Sequence, residues 1–275
     1  MCRPLGVTRG GYYRHINKAV DHYHIELMEA VKQLAVTSGN TYGSRRMKEG
    51  LAAMSYPVSR RKAKKLMNEA GVVVKSRKKF KVTTDSNHTK PLFENVLNRD
   101  FAPERPDQVY VQDITYLWTQ EGWLYLATVI DLYSRRVVGW SMGSRMTAKW
   151  VCDALKMVIW QRRPEAGVIV HSDRGSQYAS KAYRRLIKAC GFIGSMSRKG
   201  NCWDNAVAES FFGSLKQERV QWRNYQTRYE AQQDVMNYIT MWYNSQRMHS
   251  FLGYKSPNMF EIEMQSQRLE LRKAS

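Results

Sequence analysis

The pattern of apolar and polar positions predicts helices in the N-terminal part of the chain. Residues 20–36 carry apolar side chains at helical spacing, and after a polar break a second helical run covers Ser44–Met54. Pro57 ends this run, and Ser59 is a suitable N-cap for a third helix that ends at Gly71. Three short helices joined by turns of this length predict a small helix-turn-helix-like bundle.

From residue 107 onward the pattern predicts strands that alternate with helices. Strands are expected at Val109–Trp118, Trp123–Ile130, Val137–Met142, Val168–His171 and Phe192–Met196. Helices are expected from a cap at Thr147 to about Trp160, from a cap at Ser180 to Cys190, around Glu209, and from a capping box of Thr227 and Glu230 to about Tyr243. Three antiparallel strands, then helix, strand, helix, strand and helix, are the order of an RNase H-like α/β fold.

These elements divide the chain into four predicted segments. Residues 1–75 form the helix-turn-helix-like domain. Residues 76–106 are basic, contain several prolines and lack clear periodicity, so they are expected to form a linker. Residues 107–220 form the RNase H-like core, and residues 221–275 form a helical C-terminal extension.

Composition narrows the class of protein. The longest uncharged apolar stretch, WLYLATVI, is too short to span a bilayer, and the N-terminus shows no apolar signal segment. The four cysteines form no Cys-x-x-Cys pair, which argues against a disulfide framework and against a structural zinc site. We therefore expect a soluble cytoplasmic protein with reduced thiols and no membrane partner.

The balance of charges points to a polyanionic partner. The formal net charge is +20, and much of the excess stands in short runs such as Arg60–Lys65 and Lys75–Lys81. Five cations lie within six positions of the third predicted helix, with no acid among them: Arg60, Arg61, Lys62, Lys64 and Lys65. This favours contact with DNA phosphates over a merely solvated helix face, and it carries no information on base preference.

Three acidic residues are the strongest candidates for chemistry. Asp113 interrupts the strand-like run VYVQDITYLW, Asp173 ends the apolar run VIVHSD, and Glu209 lies on a helical stretch with 35 residues between it and Asp173. A carboxylate within an apolar strand is costly unless a cation meets it. Oxygen ligands suit Mg²⁺ or Mn²⁺, and two such ions about 3.5–4 Å apart clamp the attacking and leaving oxygens of a phosphodiester. The three carboxylates therefore predict a site for two divalent ions.

Two further residues are expected to face this site. Lys216 follows Glu209 by two helical turns, so both lie on one face of the helix. A solvated lysine is the alternative interpretation. Asn205 precedes Glu209 by one turn and is expected to orient either Glu209 or a phosphate.

Other polar residues near the carboxylates have more ordinary interpretations. Asp131 is expected to cap the turn that follows its strand, and Asp204 is expected to be the N-cap of the helix that carries Glu209. His171 shares a strand face with Asp173, where a packed structural role and a catalytic role both remain open.

Four blocks of the sequence resemble a known family. The blocks are DITYLWTQEGWLYLATVIDLYSRRVVGWSM, VIVHSDRGSQYAS, GSMSRKGNCWDNAVAESFFGSLKQE and YNSQRMHSFLGYKSP. In this order they are similar to the OrfB-type transposases of the IS-three family of bacterial insertion sequences, which are retroviral-integrase-like, Asp-Asp-Glu enzymes. The resemblance implies that Asp113, Asp173 and Glu209 hold the catalytic metal ions. It also implies that Lys216 stands where the family has a Lys or Arg that approaches DNA.

The resemblance further implies a function and partners. A DNA transposase of this kind cleaves DNA at the element ends and joins the strands to target DNA, with no covalent protein–DNA intermediate. The implied partners are double-stranded DNA, further copies of the chain on DNA, and an upstream-frame OrfA product, separate or fused by frameshifting. The implied location is the bacterial cytoplasm, in association with the nucleoid. Two alternatives stay open: a metal-dependent nuclease on the same fold, and a non-catalytic DNA-binding regulator of transposition.

Overall fold

The structure is a computed structural model in which the chain divides into two compact units, Met1–Val74 and Lys75–Ser275. The residues it describes are 6, 8–16, 21–75, 91–198 and 202–274. The segment 76–90, about half of the predicted linker, lies outside the described residues.

The N-terminal unit is helical. Its elements are α1 (Arg9–Ile16), α2 (His22–Thr37), α3 (Ser44–Ala53) and α4 (Arg60–Glu69). The last three pack around a buried apolar cluster that includes Leu27, Val31, Met47, Leu51 and Leu66. The Ser59 side chain caps α4 by accepting a hydrogen bond from the Lys62 N–H, and Gly71 follows the helix with a φ of 67°. The predicted bundle of three helices is therefore confirmed.

The second unit is built on a five-stranded mixed sheet. Its strands are β1 (Val109–Thr119), β2 (Gly122–Asp131), β3 (Val137–Gly143), β4 (Ile169–Ser172) and β5 (Ile193–Met196). They stand in the order β3-β2-β1-β4-β5. The first three pair antiparallel as a meander, and β4 and β5 add parallel to β1. This is the predicted RNase H-like arrangement.

Helices cover both faces of this sheet. The helices after β3 are α5 (Ala148–Arg162), α6 (Lys181–Ala189), α7 (Ala206–Glu218), α8 (Arg228–Asn237) and α9 (Pro257–Ala274). Helices α5 and α6 pack on the face that carries Tyr110 and Val129. Helices α7 and α8 pack on the opposite face, which carries Val111 and Leu117. Because side chains alternate along a strand, Asp113 belongs to the face of α7.

The predicted helix starts agree with the structure, with one difference in detail. Ser180 accepts a hydrogen bond from the Tyr183 N–H, and Thr227 accepts one from the Glu230 N–H. Thr147 occupies the N-cap position of α5, but its side chain makes no capping hydrogen bond. After α8 the chain continues as a π-helical turn over Tyr238–Tyr243, so the helical stretch ends where the sequence predicts.

The described half of the predicted linker, residues 91–106, packs against the sheet. The Ser195 hydroxyl accepts hydrogen bonds from the backbone N–H groups of Val96 and Leu97, and the Leu97 side chain is buried. A Cβ on Gly194 would lie 2.7 Å from the ring of Phe93, so glycine allows that ring to lie on β5.

The C-terminal extension is anchored to the core by buried polar contacts. The Asn244 side chain bonds to both the N–H and the C=O of Val137, at 3.0 and 2.9 Å. On α9, Glu261 pairs with Arg136 and Arg162. Among the described residues, no helix is long and apolar enough to cross a bilayer.

Candidate active site

Two of the predicted carboxylates lie at neighbouring positions, Asp113 on β1 and Asp173 directly after β4. The parallel register pairs Gln112 of β1 with Ser172 of β4. Extended by one residue, this register places Asp113 beside Asp173, at the carboxyl end of β4. The Asp113 carboxylate faces the α7 side of the sheet, and Asp173 lies close enough for its negative charge to act on it. The site follows from strand pairing between segments about 60 positions apart in the sequence.

The electrostatics of Asp113 show how closely the acidic groups approach. Its pKa lies well above the usual range, first because of burial and second because of the negative charge of Asp173. Glu209 raises the pKa further, whereas the Ile114 N–H and Lys216 lower it. A pair of carboxylates in this state stabilises a bound cation, because a cation removes the repulsion that otherwise holds a proton on the pair.

A tight turn fixes the orientation of Asp173. The Gly175 N–H donates a hydrogen bond to Asp173 Oδ1 at 2.9 Å. A Cβ on Gly175 would lie 2.9 Å from the same oxygen, closer than real Cβ contacts allow. Glycine at this position therefore allows the backbone to approach the carboxylate.

Glu209 lies in the first turn of α7 and is exposed to solvent. Its pKa is raised by partial burial. Within the described ranges, no three His, Cys, Asp or Glu side chains stand close enough together to hold a metal ion as a ready-made set. Asp113 and Asp173 thus form the adjacent pair, and Glu209 stands near enough for its charge to act on Asp113.

Lys216 connects α7 with the carboxylate pair. It is 9% exposed, so the alternative of a solvated lysine is wrong. Burial lowers the pKa of its ammonium to about 8, and the charge of Asp113 acts in the opposite direction. The Nζ atom also lies 5.1 Å from the centre of the Tyr116 ring. The sequence predicted the shared face with Glu209, but it gave no indication of the interactions with β1.

The start of α7 differs from the prediction. Asp204 is not the N-cap; Asn205 occupies that position and makes no side-chain capping bond. Asp204 accepts hydrogen bonds from Arg99 at 2.8 Å and from Arg198 at 3.1 Å, and the Arg198 hydrogen bond holds its pKa well below the usual range. The N-cap assignment was wrong because these two arginines occupy both carboxylate oxygens of Asp204.

Asn205 is buried, and its Oδ1 has no hydrogen-bond partner in the described part of the chain. A buried amide oxygen without a partner is costly, so a hydrogen-bond donor from a bound ligand would stabilise it.

His171 and Asp131 have structural surroundings. The ring nitrogens of His171 lie 2.9 Å from the Ser195 hydroxyl and 3.2 Å from the Ser197 hydroxyl, and burial lowers the pKa of the imidazole to about 4. A neutral histidine held by two serines fits the packed role. Asp131 accepts from the N–H and hydroxyl of Ser134, which confirms the predicted turn cap.

Tyr178 is a residue that the sequence analysis missed. It is fully buried, and its hydroxyl has no hydrogen-bond partner within the described residues. Burial raises its pKa well above the usual range, and Asp113 and Asp173 raise it further. Its phenol therefore lies near both carboxylates. The only sequence signal is its position five residues after Asp173, within GSQYAS.

In the N-terminal unit, the five predicted DNA-contacting cations are Arg60, Arg61, Lys62, Lys64 and Lys65. All five are exposed on α4, while Ala63, Leu66 and Met67 of the same helix are buried. An i,i+4 pair joins Lys65 to Glu69 at 3.7 Å. The amphipathic helix therefore presents its basic side to solvent, as a phosphate-contacting helix requires.

Comparison with known families covers both units of the chain. Residues 103–202 and 209–264 match two models described as Integrase core domain, and residues 24–80 match the model described as HTH-like domain. The first integrase-core match contains Asp113 and Asp173, and the second begins at Glu209. The basic helix α4 lies within the HTH-like match.

Curated relatives extend over nearly the whole chain. The 31 kDa protein of insertion element IS600 from Shigella sonnei is 43% identical over 94% of this chain and 97% of its own length. Transposase InsF of insertion sequence IS3A from Escherichia coli K12 is 42% identical, over 95% of this chain and 92% of its own length. Among solved structures, the HTLV-2 integrase catalytic core domain in complex with magnesium is similar to 57% of this chain and 98% of that chain, with 14% identity and a TM-score of 0.43. The sequence relatives and the family matches confirm the resemblance: the chain belongs to the IS3-family transposases, Asp-Asp-Glu enzymes with an integrase core and an HTH-like DNA-binding domain.

Proposed function

We propose that Asp113, Asp173 and Glu209 are the catalytic carboxylates of this transposase and that they hold two Mg²⁺ or Mn²⁺ ions. The observation that carries the proposal is the proximity of the two aspartates, which directly follow the last paired residues of β1 and β4; burial first and the charge of Asp173 second raise the pKa of Asp113. The donor atoms are all oxygens, which hard divalent ions prefer. Glu209 completes the set by moving toward the pair from the first turn of α7.

The residues of the chain have separate tasks in strand cleavage and strand transfer. When bound, the ions supply charge neutralisation at the phosphodiester and lower the pKa of the attacking oxygen. Asp113 and Asp173 orient the site from the rigid sheet, so the attacking and leaving oxygens are placed by the protein backbone. Lys216, held between Asp113 and Tyr116, contacts a DNA phosphate near the cut, and Asn205 donates to the same phosphate or orients Glu209.

The exposed cations of α4 supply affinity for duplex DNA without regard to sequence. Double-stranded DNA of the element ends and of the target is the substrate, and further copies of the chain assemble on it. An OrfA product of the upstream frame, separate or fused, is the additional partner. The proposal also includes the division of the chain into four segments, with boundaries at residues 75, 106 and 220. It places the protein in the cytoplasm, in association with the nucleoid.

A strand-transfer assay tests the proposal. Labelled insertion-sequence ends and a target plasmid are incubated with Mg²⁺, Mn²⁺, Ca²⁺ or EDTA and resolved on a gel. We expect joined products with Mg²⁺ or Mn²⁺, and binding without chemistry in Ca²⁺, which takes the same oxygens with looser geometry. Replacing Asp113, Asp173 or Glu209 with Ala should abolish cleavage and joining while DNA binding persists.

The same assay separates the alternatives. Cut products without joining indicate a nuclease, and shifted bands alone indicate a regulator. Parallel reactions with a frameshift-fused version test the need for the upstream portion. Near wild-type joining by Asp173→Ala, or full activity in EDTA, would contradict the carboxylate assignment.

A further inference from the structure

The β1–β2 hairpin carries a row of aromatic rings that the proposed chemistry does not use. Cross-strand register pairs Trp118 with Trp123 and Tyr116 with Tyr125. The ring centres of Trp118 and Trp123 are 4.8 Å apart, and those of Tyr116 and Trp123 are 4.9 Å apart. We call these four residues the aromatic ladder. Its rings contact one another edge to face.

The two tryptophans of the ladder are exposed to solvent, unlike aromatic side chains of a protein core. Trp118 is 53% exposed and Trp123 is 44% exposed. Their strand neighbours Leu117 and Leu124 point to the other face and are buried. Two large indoles kept half in water are a surface suited to binding, because stacking on them removes apolar area from solvent.

The ladder is next to the carboxylate site. Tyr116 follows Asp113 by three residues, about 10 Å along the strand at about 3.3 Å per residue, and its side chain points to the opposite face of the sheet. A DNA strand that contacts both must therefore pass over the edge of β1 beyond Gln112, the last residue of β1 in the register with β4. Lys216 connects the two places, since its ammonium acts on Asp113 and lies over the Tyr116 ring. A spacing of about 10 Å corresponds to about three nucleotide steps along a DNA strand.

We propose that the aromatic ladder stacks unpaired bases of the DNA strand about three nucleotides from the phosphodiester that the carboxylates process. Base stacking on aromatic side chains tolerates any sequence, because every base has a π-face. Cationic Lys216 meets the backbone of the same strand, which fits a nucleic acid better than an apolar protein partner. The inference rests on the proposed function, since it takes the position of the cut from Asp113 and Asp173.

Affinity for paired and unpaired DNA tests the ladder without chemistry. The probes are two short duplexes of arbitrary sequence, one fully paired and one with about three unpaired bases at one end, a length set by the strand spacing. Dissociation constants are measured by anisotropy with the full chain in Ca²⁺. Unpairing costs a few kcal/mol per flipped base, so wild type should bind the frayed duplex more tightly than the paired one.

Three variants give the comparison. Trp118→Ala with Trp123→Ala should weaken binding of the frayed duplex by about tenfold or more, while binding of the paired duplex changes much less. Trp118→Phe with Trp123→Phe should retain most of the preference, because the rings remain. Trp160→Ala is the matched control: Trp160 is 85% exposed on α5 and outside the ladder, so its loss should leave the preference unchanged.

Photocrosslinking of DNA to the wild-type protein tests the same contact without a variant, in case the double Ala variant fails to fold. Iodouracil at the third unpaired position should crosslink to a peptide within residues 116–125. Crosslinks elsewhere, a preference retained by the double Ala variant, or an equal loss in Trp160→Ala would overturn the proposal. A change of oligomeric state in the double Ala variant with unchanged DNA preference would also overturn it and would assign the ladder to a contact between copies of the chain. If wild type shows the preference but no strand transfer, the proposed function fails, while the stacking of unpaired bases on the aromatic ladder is still supported.

Discussion

Replacing Asp113 with Asn tests the carboxylate site through thermal stability. The amide keeps the shape of the side chain, and its Oδ1 still accepts the hydrogen bond that the Ile114 N–H donates at 2.7 Å. The change removes only the charge, which faces Asp173 and Glu209 and is partly offset by Lys216. The variant therefore separates the charge of this residue from its packing.

Without a divalent ion, the Asp113 carboxyl makes the stability of the wild-type protein fall as pH rises. Burial first and Asp173 second raise its pKa in the folded state, so the folded protein holds a proton that the unfolded chain has lost. This stabilising contribution is complete below the unfolded pKa of about 3.9 and is lost as pH rises through the folded pKa. Asp113→Asn should flatten this part of the curve of stability against pH.

Mg²⁺ should then stabilise the wild type and not the variant. An ion that binds only the folded state and is present at about 100 times its Kd stabilises by about 2.7 kcal/mol. For a unit the size of Lys75–Ser275, where 1 kcal/mol moves Tm by roughly 2–4 °C, this predicts a rise in Tm of roughly 5–11 °C. Asp113→Asn should show little of this rise.

The measurement is thermal unfolding across a pH series, with and without Mg²⁺. Asp100→Asn is the matched control, because Asp100 is exposed and its Oδ1 accepts a long hydrogen bond from the Ala102 N–H, at 3.4 Å. It should behave as wild type in both conditions. An Mg²⁺-dependent rise in Tm of the same size in Asp113→Asn would refute a divalent ion between these carboxylates.

The other predictions concern the turn at Asp173, the buried ion pair and the basic helix. Gly175→Ala should reduce strand transfer by about 100-fold, because a Cβ 2.9 Å from Asp173 Oδ1 displaces that carboxylate; Gly43→Ala, whose Cβ meets nothing within 4 Å, is the control, and equal rates in both would contradict the reasoning. Arg247→Ala should cost about 3–5 kcal/mol in denaturant unfolding, because it leaves Glu218 buried without its bidentate partner. Arg247→Met combined with Glu218→Gln should recover most of that loss, and failure to do so would mean that the pair is needed for more than charge balance. Replacing the exposed cations of α4 (Arg60, Arg61, Lys64 and Lys65) with Gln should lower the slope of log affinity against log salt by about 0.9 for each lost phosphate contact. Turnover on saturating DNA should change far less, and a collapse of turnover with an unchanged slope would place α4 in the active site.

Local patterns were sufficient to predict most secondary structure. The alternation in β1, the apolar run of β2, and the caps at Ser59, Ser180 and Thr227 all act within a few residues, so their signals are readable along the chain. Asp113 could be selected because a charge within an apolar strand has few structural explanations, and the strand order together with the family resemblance added Asp173 and Glu209. The assignment of Asp204 failed because a helix cap was the local interpretation, whereas its carboxylate pairs with Arg198 and with Arg99, which lies 105 positions away.

The sequence by itself determined the kinds of element, their order, the chemical character of the site and, through its four blocks, the family. Only the tertiary structure decided which residues meet there. The β1–β4 register sets Asp113 beside Asp173, and the packing of α7 on β1 buries Lys216 near Asp113. The tertiary structure likewise shows that Tyr178 lies near Asp113 and that Tyr116 of the hairpin lies near Lys216, which are neighbours distant in sequence. Contacts of this kind depend on how the helices pack on the sheet, and a local pattern of residues carries no information on that packing.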